Sequence, residues 1–139
     1  MENILITGGA GFIGSNLALS LFKRGYSVRV MDSLSAQIHG EKPESSPLFL
    51  SIKDKVEFVC GDVRNRKDWE KAIEGQDIIV HLAAETGTGQ SMYEVEKYVD
   101  VNIKGTAILL DLLASKKHTV KKVLVASSRA VYGEGAYYC

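Results

Sequence analysis

The sequence predicts an α/β fold built on a doubly wound parallel sheet. Two observations carry this prediction. Short apolar strand patterns alternate with amphipathic helix patterns along the whole chain, and the first strand runs straight into a glycine-rich turn that opens a helix. A third supports it: residues 77–82 are nearly all apolar, as expected of a parallel strand covered on both faces. Right-handed crossovers then give the strand order 3-2-1-4-5.

Each element has its own signal. Residues 3–7 form the first apolar strand, and residues 12–24 a helix stopped by Gly25. Residues 27–31 are the second strand. Residues 33–51, with Pro43, Pro47 and several serines, read as an irregular connection, long enough to suggest a functional segment. Residues 56–60 are strand three, closing on Cys60, which is expected to be a buried thiol. Residues 66–74 are a short helix with Asn65 as cap, Trp69 and Ile73 on one face and Gly75 at its end. Residues 77–82 follow as strand four. Residues 91 to about 115 read as one long helical region with Ile108, Leu109, Leu112 and Leu113 on the core face. Residues 122–126 are strand five, leading into Ser127-Ser128.

Bulk composition narrows the function. A chain of 139 residues, 45% of them hydrophobic, suits one domain with a modest core. Seventeen basic and seventeen acidic residues cancel, so charge gives no case for nucleic acid or an anionic membrane surface. No apolar run approaches the ~20 residues that span a bilayer, and the first strand starts at once without a leader. Cys60 and Cys139 make neither a disulfide framework nor a zinc site, and no metal-ligand spacing is present. The expected location is cytoplasmic. Lys116-Lys117 and Lys121-Lys122 read as solvated, His39 as a loop residue and His81 as a residue that packs or hydrogen-bonds at strand four rather than acting as a base.

The glycine turn carries the chemistry. In Gly8-Gly9-Ala10-Gly11-Phe12-Ile13-Gly14 the glycines let the backbone approach a pyrophosphate, which meets free N–H groups at the helix start. Asp32 ends the next strand about 20 residues on, the spacing of an acid that accepts from ribose hydroxyls. A carboxylate there repels a 2′-phosphate, so the expected cofactor is NAD rather than NADP. Ligands of such sheets bind at the carboxyl ends of the strands. The glycine turn, Asp32, Gly61-Asp62-Val63, Leu82-Ala83-Ala84 and Ser127-Ser128 all fall there.

These segments resemble the extended short-chain dehydrogenase/reductases, specifically the NAD-dependent nucleotide-sugar epimerase/dehydratase family. The matching motifs are Thr7-Gly8-Gly9-Ala10-Gly11-Phe12-Ile13-Gly14, Gly61-Asp62-Val63, His81-Leu82-Ala83-Ala84, Asn102-Ile103-Lys104-Gly105-Thr106 and Ser127-Ser128-Arg129-Ala130-Val131-Tyr132-Gly133. The resemblance implies backbone contacts from Phe12 and Ile13 to the pyrophosphate, and Asp32, Ser33 and Ser35 around the adenosine ribose. It implies Asp62 accepting from the adenine amino group. Val63 either packs on the ring edge or donates its backbone N–H. Leu82, Ala83 and Ala84 lie beside the cofactor, and Asn102 hydrogen-bonds backbone near the active site. Ser128 is implied as the catalytic hydroxyl on the sugar oxygen; Ser127 is disfavoured because adjacent strand residues face opposite ways.

The implied activity is epimerisation of a nucleotide sugar, through oxidation at sugar carbon 4, rotation of the keto sugar and return of hydride. Ser128-Arg129-Ala130 stands where the dehydratase branch carries Thr-Asp-Glu, which disfavours dehydration. Residues 86–93 and 128–137 lean toward sugars of bacterial surface polysaccharides. The family's Tyr-x-x-x-Lys pair lies beyond the position matching Ser128, and the only match here, Tyr93 with Lys97, precedes it and reads as a solvated helix start. Tyr132, Tyr137 and Tyr138 have no lysine four residues on. The expectation is therefore an incomplete NAD-binding domain over residues 1–139, without a C-terminal substrate domain, able to bind NAD but not to turn over. An exposed fifth strand would favour a homo-oligomer. Two alternatives stay open: a dehydratase or reductase of the same family, and a non-catalytic NAD-binding module.

Overall fold

The computed structural model describes residues 2–115, 117–133, 135, 136 and 138, with the side chains of Arg129 and Ala130 left out. Lys116, Tyr137 and Cys139 lie outside the described residues. Strands β1 (Asn3–Thr7), β2 (Ser27–Asp32), β3 (Glu57–Cys60), β4 (Ile78–His81) and β5 (Lys122–Val125) form one sheet in the order β3-β2-β1-β4-β5. Every neighbouring pair is parallel, with Ile6 opposite Val30 on one side and Val80 on the other. This is the predicted doubly wound, Rossmann-type topology.

Alternation along β1 divides the core in two. Ile4 and Ile6 point to one face, where Val28, Val30 and Ala18 join Phe49 and Ile52. On that face α1 (Phe12–Lys23) packs against α3 (Pro47–Ile52). Leu5 points to the other face, with Met31, Val59, Ile79, Trp69, Leu109 and Leu112. There α4 (Arg66–Ile73) packs against α6 (Gly105–Ala114). Fully buried Trp69 is the largest side chain in that layer, and its indole N–H donates to the Val63 carbonyl at 2.8 Å. The Asn65 side chain caps α4 by accepting from the Lys67 N–H at 3.0 Å, as expected.

Three expectations are corrected. Residues 33–51 are not irregular: they contain α2 (Ala36–His39), a 3-10 turn (Pro43–Ser45) and α3. Pro43 and Pro47 both stand at helix starts, where a missing N–H costs nothing. Residues 91–115 are not one helix but a 3-10 turn (Gln90–Met92), α5 (Val95–Tyr98), a π-helical stretch (Val99–Lys104) and α6. Cys60 is exposed, because the edge strand β3 buries only Val59 well.

Candidate nucleotide-binding and active site

The parallel sheet gathers all five predicted segments at its C-terminal edge. The turn after β1 is fastened to β2: the Gly8 N–H donates to the Met31 carbonyl at 2.9 Å, and the Ala10 N–H to Asp32 Oδ2 at 3.0 Å. Gly8 has φ +64°, and a Cβ there would stand 2.8 Å from the Ala83 backbone nitrogen. A Cβ on Gly14 would strike the Gly8 and Gly9 backbone. Both glycines are therefore required, one by conformation and one by close approach. Helix α1 starts without a side-chain cap, and Phe12 and Ile13 project into solvent at 74% and 68% exposure. Their N–H groups, in the first turn, have no intrahelical acceptor.

Asp32 is half-buried. Oδ2 accepts from Ala10, and Oδ1 accepts from the Leu34 N–H at 2.9 Å. A carboxylate has about four acceptor positions, so capacity remains for ribose hydroxyls. Leu34 sits at φ +53°, a left-handed conformation held by this bond and by packing of its side chain against the core. His39, read from sequence as an incidental loop residue, is buried beside this carboxylate. Its Nδ1 pairs with Ser46 Oγ at 2.9 Å, and its Nε2 lies 3.9 Å from Asp32 Oδ1. The folding back of residues 39–46, which sets His39 at the end of α2 against Ser46, accompanies this placement. Ser33 is exposed and Ser35 half-buried in the same turn.

Asp62, after β3, is half-buried and gripped by Arg64, whose Nε stands 3.0 Å from Oδ1 and whose Nη2 donates to Oδ2. These hydrogen bonds hold its carboxyl below the usual range. The Val63 side chain is buried against the start of α6, where a Cβ on Gly105 would stand 2.8 Å from Val63 Cγ2. Leu82 and Ala83 are half-buried and Ala84 is exposed.

A chain of hydrogen bonds links the start of the glycine turn to α6 and the π-helical stretch before it. Thr7 Oγ1 lies 2.7 Å from His81 Nδ1, and His81 Nε2 lies 3.1 Å from Thr106 Oγ1. The Thr106 hydroxyl donates to the Asn102 carbonyl at 2.9 Å. The Asn102 side chain then accepts from the Glu85 N–H at 2.8 Å and donates to the Glu85 carbonyl at 3.1 Å. Asn102 thus makes the expected bonds to backbone. Burial lowers the His81 pKa to about 4.

Ser127 and Ser128 follow β5 and are exposed, with the Val131 N–H donating to the Ser128 carbonyl at 3.2 Å. Because β5 ends at Val125, strand alternation does not separate the two serines; that part of the expectation is corrected. The choice of Ser128 rests on its spacing from Tyr132. Tyr93 is 86% exposed, and Lys97 instead pairs with Glu85 at 3.4 Å and Glu94 at 3.3 Å, so these residues form no Tyr–Lys couple.

The sequence profile of the NAD dependent epimerase/dehydratase family matches residues 4–137. The chain belongs to that family. Among similar proteins, a dTDP-L-rhamnose 4-epimerase of Burkholderia thailandensis is 41% identical over 98% of this chain and 37% of its own length. A bifunctional UDP-glucose and UDP-xylose 4-epimerase of Arabidopsis thaliana is 34% identical over 96% of this chain and 38% of its own. In structure, a UDP-glucose 4-epimerase from Stenotrophomonas maltophila with bound NAD and formylated UDP-arabinopyranose superposes with a TM-score of 0.81 at 29% identity. That match covers 99% of this chain and 40% of the other. A Bifidobacterium longum UDP-glucose 4-epimerase in complex with NAD+ and UDP gives 0.76 at 34% identity, over 94% and 38%. The chain thus spans about two fifths of the length of these family members.

Elsewhere, a cleft of about 720 Å³ opens between α4 and α6, lined by Arg66, Glu70, Ile73, Leu112 and His118. It lies at the N-terminal ends of β4 and β5, away from the gathered segments. Among the described residues no helix is long and apolar enough to cross a membrane, and no group of three His, Cys, Asp or Glu could hold a metal ion.

Proposed function

We propose that this chain is the NAD-binding part of a nucleotide-sugar 4-epimerase. The observation that carries the reading is the glycine turn. Gly8 and Gly14 leave no room for a Cβ, and the uncapped start of α1 opens beside the half-buried carboxylate of Asp32. This cradle fits a dinucleotide: first-turn N–H groups of Phe12 and Ile13 face a pyrophosphate, and Asp32, with Ser33 and Ser35, receives ribose hydroxyls. Asp62, held ionised by Arg64, accepts from the adenine amino group, and the Val63 N–H serves the ring. NAD, when bound, supplies a reversible hydride acceptor. Leu82, Ala83 and Ala84 shape its pocket, Asn102 fixes the loop after β4, and Ser128 holds the sugar oxygen.

The names of the similar proteins support nucleotide-sugar 4-epimerases over dehydratases, as does Ser128-Arg129-Ala130. Tyr93 and Lys97 are not gathered into a Tyr–Lys pair at this edge, so the activity we assign to the described residues is cofactor binding. Residues 1–139 then form a cofactor-binding domain of a cytoplasmic enzyme, its sugar drawn from polysaccharide synthesis.

Calorimetric titration tests the reading. NAD should bind saturably, NADP at least tenfold more weakly, and Asp32→Ala should weaken NAD at least tenfold, about 1.4 kcal/mol. A folded chain, by circular dichroism, that takes up no NAD would overturn it.

A further inference from the structure

Side chains join the segment after β2 to the segment after β4. Gln37, on α2, donates Nε2 to Gln90 Oε1 at 2.9 Å, and Gln90 returns Nε2 to Gln37 Oε1 at 3.3 Å. Neighbours key both amides. Lys97 Nζ donates to Gln37 Oε1 at 3.2 Å, the Tyr98 hydroxyl to Gln90 Oε1 at 3.1 Å, and Gln90 Nε2 also to Glu94 Oε1 at 2.9 Å. Each amide oxygen thus meets donors, and the Gln90 amide nitrogen also meets a carboxylate. Lys97 is in turn held by Glu85, whose backbone Asn102 clamps.

Topology says what this bridge crosses. β1 lies between β2 and β4. With strands about 4.8 Å apart, the ends of β2 and β4 stand about 10 Å from each other. The segments that follow these two strands therefore meet, side chain to side chain, on the C-terminal side of the sheet, where β1 ends between them. That end carries the glycine turn and the open start of α1. Gln37 is exposed and Gln90 half-buried, so the pair adds little to folding, since hydrogen bonds in water contribute modestly. Its position is what matters.

We infer that Gln37 and Gln90 are positioning residues that form an amide clasp over the phosphate-binding turn and retain the bound dinucleotide. The inference rests on the NAD reading. Release requires the clasp to open, so the pair governs the dissociation rate of the cofactor.

Two sets of variants test it. In chain loaded with NAD, Gln37→Ala and Gln90→Ala should each speed release about tenfold into an NAD-consuming trap. The double variant should be no faster than either, because the two residues act as one unit. Separately, Gln37→Cys with Gln90→Cys, in a Cys60→Ser, Cys139→Ser background, is treated with a short bismaleimide. Cross-linking should proceed with or without NAD and should slow release of preloaded NAD at least tenfold. Rates within twofold of the unaltered chain, or additive effects of the alanines, would overturn the clasp. So would failure to cross-link, whatever the cofactor result. A chain that cross-links but never holds NAD would instead overturn the cofactor reading, and the retention role with it.

Discussion

Proton direction along the Thr7–His81–Thr106 chain follows from counting acceptors. Thr7 Oγ1 already accepts the N–H groups of Leu82 and Ala83, both at 3.2 Å, which uses its two lone pairs. Its own proton must therefore point at His81 Nδ1. That nitrogen is then an acceptor, and the imidazole is neutral with its proton on Nε2, donating to Thr106. Thr106 passes its own proton to the Asn102 carbonyl. Protonating His81 would set an N–H against a hydroxyl with no lone pair left, in addition to charging a buried ring. Burial puts the folded pKa at about 4, below the ~6.5 of an unfolded histidine. A depressed folded value means the unfolded chain takes up the proton first. Stability is fully present above about pH 6.5 and declines as the pH falls toward 4, by ~3 kcal/mol in all. Urea unfolding at stepped pH should show this decline, and His81→Gln should flatten it over that window. An unchanged slope in the variant would remove His81 from this role.

At the scale of elements, the π-helical stretch Val99–Lys104 is what delivers Asn102 to the loop after β4. One wider turn shifts the helix register, and such turns recur at functional sites. The Asn102 amide replaces a neighbouring strand for Glu85, serving both its N–H and its carbonyl. Asn102→Ala should cost about 1–3 kcal/mol through unpaired backbone groups and raise hydrogen exchange at the Glu85 amide. Asn102→Asp, which keeps the acceptor and loses the donor, should fall between. None of this register shift has a signature in composition, whereas strands such as β1 and β4 were legible as short apolar runs that end in turns. The helices α2 and α3 were not, since four to six residues are too few for a period to emerge. Burial of Phe49 and Ile52 holds α3, and burial of His39 holds α2. The glycine turn and Asp32 were visible for the opposite reason: their spacing is local. His39 beside Asp32, Arg64 on Asp62 and Gln37 against Gln90 depend on folded loops or on contacts between distant segments, and sequence spacing carries no sign of them.

The whole molecule has two unlike sheet edges. On the β3 side Arg29 of β2 reaches across to Glu57 at 2.9 Å, placing an ion pair on a strand of four residues. Charge of that kind discourages further pairing. On the β5 side the strand Lys122–Val125 pairs, among the described residues, with β4 alone, and Leu124 and Val125 are 49% and 56% exposed. Val131 and Tyr132 just beyond are 69% and 89% exposed. An exposed apolar strand at the end of a sheet offers a surface for further pairing, and in a solution of this chain alone a second copy can take it. Sedimentation equilibrium should therefore show an average mass that climbs with concentration. Leu124→Lys should bring it back toward the monomer without altering NAD uptake, because that side chain lies on β5 while the residues assigned to the cofactor follow β1, β2, β3 and β4. A monomer at every concentration would mean that the β5 edge is protected in solution, and that burial of this face is not what drives copies of the chain together.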